Sequence, residues 1–204
     1  MRGIMTKLRI PTYFIHWLWE NGSKPSQEDL HLALLIQKVY FRIPACDRAV
    51  LREFMTILNV FLGHDANSLG SAGAKGAVSV ENGKIADIAG ENVYKVVTLY
   101  WDNLKGSDSA NIFVIAHEFA HVVRRHDQMS LVLGLLNEFP GANPYKDKDY
   151  KQIYELHEDD ADLQTWEWGF DKEFRKFHQE FPEARIPRWF IDFHKEPYNM
   201  QQES

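Results

Sequence analysis

His117-Glu118-Phe119-Ala120-His121 places two histidines four residues apart, with a glutamate directly after the first. On a helix, residues four apart lie on one face, one turn apart, so both imidazoles can meet a single metal ion from one rigid element. Glu118 sits one position off that line, which suits it to act as a base on water at the metal rather than as a ligand. The pattern His-Glu-x-x-His is that of a helical zinc site with two ligands and a general base. Its flanks are apolar, Val114-Ile115-Ala116 before and Val122-Val123 after. The helix is therefore expected to be buried on several faces, where histidines and a glutamate are costly unless something satisfies them. The same residues can also be read as a core helix whose histidines hydrogen-bond internally.

Catalytic zinc usually has three protein ligands and one open position, so a third ligand must come from elsewhere. Asp127 is the nearest candidate, but the position that needs a turning glycine is Arg124. Without glycine the helix cannot turn back sharply enough, which excludes the metzincin arrangement. Glu158-Asp159-Asp160-Ala161-Asp162 is the better source. Glu158 and Asp162 fall on one helical face. Glu158 has the reach of a ligand, and Asp162 can accept a hydrogen bond from a ligand imidazole and fix its tautomer. Ala161 allows two helices to approach, while Asp159 and Asp160 are expected to point away. Read without the histidines, this run would be a solvated acidic face. A donor to a developing oxyanion is sought among His126, Tyr150, Tyr154 and His157, and the sequence does not choose between them.

These residues need elements to hold them. Ser26 is a plausible N-cap for a helix closed by Pro44, and an apolar stripe from Val50 to Leu62 predicts a second helix starting near Asp47. Ser68 to Gly76 reads as a small, flexible loop, without the Gly-Lys-Ser/Thr ending of a phosphate-binding loop. Asn82-Gly83 between Ala77–Glu81 and Lys84–Ile88 predicts a hairpin, and Val93–Trp101 a third strand. An edge of this sheet would take an extended peptide as an added strand. Ser107, Asp108 and Ser109 offer N-caps for the metal helix, which is expected to run to about His126. Met129–Phe139 continues in apolar character, Pro140–Pro144 is a loop, and a long helix begins near Asp147. Gly169 is expected to break it; Phe170, Phe174 and Phe177 continue an apolar face, and Trp189, Phe190, Ile191 and Phe193 form a terminal docking segment.

The 204 residues are 45% hydrophobic and 13% aromatic, which predicts one globular domain with a real core. A net charge of -6 argues against nucleic acid as a partner. The single cysteine, Cys46, excludes both an internal disulfide and a cysteine zinc site, and a reduced, cytoplasmic setting is expected. The apolar stretch Tyr13–Trp19 is too short and polar to span a membrane, so no membrane insertion is expected.

His117-Glu118-x-x-His121 followed by Glu158-x-x-Ala161-Asp162 resembles the gluzincin pattern of small "minigluzincin" peptidase domains. These include the membrane CAAX-prenyl endopeptidases and the soluble ImmA/IrrE proteins; more remotely, the chain resembles Lit-type phage-exclusion peptidases. The resemblance covers roughly residues 77 to 168. His126 resembles a recurrent histidine of the membrane branch, whose transmembrane helices the chain lacks. Asp162 stands where many ImmA/IrrE proteins have Asn, and there is no attached helix-turn-helix. The resemblance implies an α+β, zincin-like fold: a small antiparallel sheet preceding an active-site helix, with the remainder mostly helical. It also implies a zinc-dependent endopeptidase acting on a protein or peptide substrate, with His117, His121 and Glu158 on Zn²⁺, Glu118 as base and Asp162 behind a ligand. The domain is expected to comprise a helical N-terminal layer (1–66), a catalytic core (77–168) and a C-terminal docking segment (169–204). The alternative is a non-catalytic, metal-stabilised interaction or regulatory domain, against which an intact Glu118 argues, because a structural site needs no base. Oligomeric state, trigger and substrate identity are not legible.

Overall fold

The structure, a computed structural model, describes residues 27–54, 57–61, 70–75, 78–81, 84–88, 94–100, 104–126 and 147–193. The expectations for Tyr13–Trp19, the Ser26 cap, Asp127, Met129–Phe139 and Pro140–Pro144 lie outside the described residues.

Two helices open the described chain, α1 (Gln27–Arg42) and α2 (Ala45–Phe54), with Pro44 between them. Leu32, Leu35, Ile36, Val39, Tyr40 and Ile43 recur at three-to-four spacing on α1, and all are buried. Extended segments follow: β1 (Ile57–Phe61), β2 (Gly70–Lys75), β3 (Val78–Glu81), β4 (Lys84–Ile88) and β5 (Tyr94–Tyr100). The rest is helical: α3 (Asp108–Arg124), α4 (Asp147–Glu167), α5 (Asp171–Glu180) and α6 (Arg188–Phe193).

Helix α3 is the hub. It packs against α1, α2, α4 and α5, and against β2 and β5. Its sequence explains this: Ala110, Ile112, Phe113, Val114, Ile115, Ala116, Phe119, Ala120 and Val122 leave no polar face along most of its length, and all are buried. The Ser107 side chain caps its start, accepting a hydrogen bond from the Ala110 N–H at 3.3 Å. Its end is set by Arg125, which adopts the left-handed conformation with φ 61° and donates its N–H to the Val122 carbonyl at 3.1 Å. Phe113 meets Phe174 edge-on at 5.4 Å and Phe177 at 4.9 Å, which fastens α5 to α3. Gly169, with φ 81°, ends α4 and lets the chain double back into α5.

The expectation of an α+β fold built on a small antiparallel sheet is corrected. Helix makes up most of the described residues. Among the described residues no single antiparallel sheet precedes α3: β5 pairs parallel with β1 and antiparallel with β2, while β3 and β4 pair with each other. Two local readings change as well. The second helix stops at Phe54, and Ile57–Phe61 is extended; a short apolar run satisfies both periodicities, and pairing with β5 decides it. The Gly/Ala/Ser run is not a loop, because Gly70–Lys75 pairs along β5 through its backbone, which needs no large side chains.

Candidate metal centre

His117 and His121 project from one face of α3, and Glu158 meets them from α4. The His117 and His121 Nε2 atoms are 3.0 Å apart. Glu158 lies 3.2 Å from the first through Oε2 and 3.4 Å from the second through Oε1. Ligands held about 2.0–2.1 Å from a tetrahedral zinc ion are themselves about 3.3 Å apart. The three donors are therefore spaced as such a site requires, and this His-His-Glu group could hold a metal ion. Ala161, fully buried between Glu158 and Asp162, lets α4 come this close to α3.

The outer nitrogens of the two imidazoles are held differently. His117 Nδ1 lies 2.7 Å from Asp162 Oδ1, so the carboxylate accepts the Nδ1–H hydrogen bond and leaves Nε2 facing inward. His121 Nδ1 lies 2.9 Å from Nδ1 of His126. His126 Nε2 in turn lies 3.1 Å from Asp160 Oδ2, and its ring stacks on His157 at 4.3 Å with the planes 5° apart. Asp162 is itself gripped by Arg185, which donates to Asp162 Oδ2 at 3.1 Å and also to Asp159.

Protonation follows from these contacts. Burial works to lower the His117 pKa, but the Asp162 carboxylate and then Glu158 hold it well above the usual histidine value. Burial works to raise the Glu158 pKa, and hydrogen bonds from His117 and His121 hold it far below the carboxylate range instead. Metal-free, the three donors thus share a proton where a cation would sit. Burial lowers His121, and burial together with His121 and His157 pushes His126 down to about 4. Glu118 is buried beside the group. Burial first, then the charge on Glu158, pushes its pKa up to about 8 against the opposing pull of His117. Its Oε2 has no hydrogen-bond partner among the described residues.

The structure thus brings His117, Glu118, His121, Glu158 and Asp162 together. Of the candidates for an oxyanion donor, Tyr154 is the one whose electrostatics couple to both Glu158 and Glu118: its side chain is largely exposed, and partial burial of the hydroxyl with the neighbouring Glu158 pushes its pKa up to about 12. His126 has both ring nitrogens engaged, and His157 stacks behind it. Asp159 and Asp160 point away from the three ligands, but neither is idle: Asp159 is buried against Arg185, and Asp160 faces His126 and Arg124. Arg185 was not legible in the sequence. It lies in the turn between Pro182 and Pro187, and nothing local marks it as a partner of α4.

No protein-family model, curated protein or solved structure matches the chain. The functional reading therefore stands on the site itself. No described helix is long and apolar enough to cross a membrane.

Proposed function

We propose that the protein is a zinc-dependent endopeptidase of the gluzincin type, working on a protein or peptide substrate in the cytoplasm. The observation that supports this best is Glu118: a buried carboxyl with an unpartnered oxygen, set beside three converging ligand atoms. Two imidazoles and one carboxylate suit zinc and leave one position open. A structural zinc site closes that position and has no use for a buried base, which disfavours a non-catalytic interaction domain.

Bound at His117, His121 and Glu158, zinc would polarise a peptide carbonyl and acidify water. The chain's residues would do the rest. Glu118 takes a proton from the attacking water and returns it to the leaving nitrogen. Asp162 holds His117 in orientation. The Tyr154 hydroxyl donates to the oxygen of the tetrahedral intermediate.

Metal analysis combined with a peptide-library cleavage assay tests the proposal. The expected result is about one zinc per chain, cleavage by the wild type, and a Glu118→Gln protein that keeps its zinc but loses turnover. A wild-type protein purified without chelator that holds no zinc and gains no thermal stability from it would overturn the reading. So would a Glu118→Gln protein that cleaves as well as the wild type.

A further inference from the structure

The two histidines of the metal centre are held in different ways, and the second is held by a device that metal sites seldom use. His117 leans on a carboxylate, the usual arrangement. His121 leans on another imidazole, with Nδ1 2.9 Å from Nδ1 of His126. A contact of this length between two ring nitrogens needs one proton between them, given by one ring and accepted by the other. The far side of His126 decides which. Its Nε2 lies 3.1 Å from Asp160 Oδ2, and a carboxylate only accepts, so His126 carries its proton on Nε2. A metal at His121 Nε2 needs the lone pair of that nitrogen, which puts the single proton of the His121 ring on Nδ1, facing His126. His126 Nδ1 then bears a lone pair, and the proton between the rings belongs to His121. The Nε2 of His121 is left as a lone pair aimed at the other two donors.

We propose that His126 is a positioning residue of the metal centre: with Asp160 it forms a relay that fixes His121 in the tautomer able to bind the metal. The inference rests on His117, His121 and Glu158 holding zinc, but not on peptide hydrolysis. The backbone is shaped for it. Arg125 turns through the left-handed region directly after α3, which brings His126 back over the last turn of the helix against His121. The same relay leaves the two ligands unequal: His117 is backed by an anion and His121 by a neutral ring, so His117 is the stronger electron donor to the metal.

Competition for zinc with a chromophoric chelator tests this on the full chain. Wild-type protein should hold zinc. His126→Leu, close in size but unable to accept a hydrogen bond, should weaken binding about 10–100-fold. His126→Asn, whose amide oxygen can take the place of Nδ1, should recover most of that loss. Asp160→Ala should weaken binding in the same direction and add little on top of His126→Leu, since both break one relay. Thermal unfolding without zinc shows whether each variant folds. A folded His126→Leu protein with wild-type zinc affinity overturns the relay, and lost turnover at unchanged affinity would mark His126 as a group acting on substrate instead. Failure of the wild type itself to bind zinc would sink the metal reading, a separate outcome.

Discussion

At the scale of single residues, the metal-free site is a store of protons, and two outcomes follow from the signs of its shifts. His117 is raised above 6.5 and Glu118 from 4.5 to about 8, so the folded protein holds more protons than the unfolded chain through the neutral range. Stability that depends on extra bound protons is lost as pH rises. The Glu118 contribution is present below about 4.5 and lost by about 8, and the His117 contribution is lost as pH climbs from 6.5 through its folded value. Glu158 runs the other way, but its loss comes only when acid protonates it, below the ordinary carboxylate range. The lowered His121, His126, His157 and His178 oppose this below about 6.5, so the melting temperature of metal-free protein should fall from neutral to mildly alkaline pH, and Glu118→Gln should flatten part of that slope. Zinc must displace the proton on His117, so its affinity should rise with pH, about tenfold per unit for each proton expelled. Affinity that does not change across neutral pH would contradict the protonation pattern described for His117.

Among the elements, α5 comes close to the start of α3. Ser107 donates its backbone N–H to Glu180 Oε2 at 2.7 Å, and a Cβ on Gly106 would meet Glu180 Oε2 at 2.9 Å and Ala110 Cβ and Phe181 Cε2 at 3.0 Å each. Gly106→Ala should therefore destabilise the protein by about 1–3 kcal/mol, read by chemical denaturation, because neighbours on two elements must move. A neutral result would mean that the helix start can slide. The elements also show where sequence reading reaches its limit. His117, Glu118 and His121 were legible because their geometry is local to one helix, and Glu158 with Asp162 because the same period applies to α4. Ile57–Phe61 misled because its four apolar residues fit a helical stripe as well as a strand, and only the partner β5 settles the matter. The acidic row misled differently: its helical phase turned Asp159 away from the ligands as expected, yet onto Arg185, a residue whose approach is set by tertiary packing.

Across the whole molecule, long-range charges tie distant segments to the site. Arg42 at the end of α1 donates to Glu173 and to the Gly169 carbonyl, with its guanidinium 3.9 Å over Phe170, and so pins the corner between α4 and α5. At the other end Arg185 spans Asp159 and Asp162, Arg188 reaches Glu155, and the Trp189 indole donates to the Asp159 carbonyl at 3.0 Å. The segment after Gly169 thus braces the ligand helix directly. Arg185→Ala should lower zinc affinity, measured by chelator competition, by releasing Asp162 from one of its two restraints. Arg185→Lys should not restore it, because a single ammonium cannot span two carboxylates as the guanidinium fork does. Wild-type affinity in Arg185→Ala would show that Asp162 needs no brace.

The Arg185 contact also has a meaning in time. Synthesis delivers His117 and His121 first, Glu158 later, and Arg185 later again. At roughly 5–20 residues per second, several seconds separate the first histidine from the arginine that steadies the far helix. A nascent chain therefore carries its histidines and base through the exit of the ribosome before the centre can be completed. In the proposed hydrolase the ligand set is therefore complete only once α4 has been made, and braced only once Arg185 has followed it.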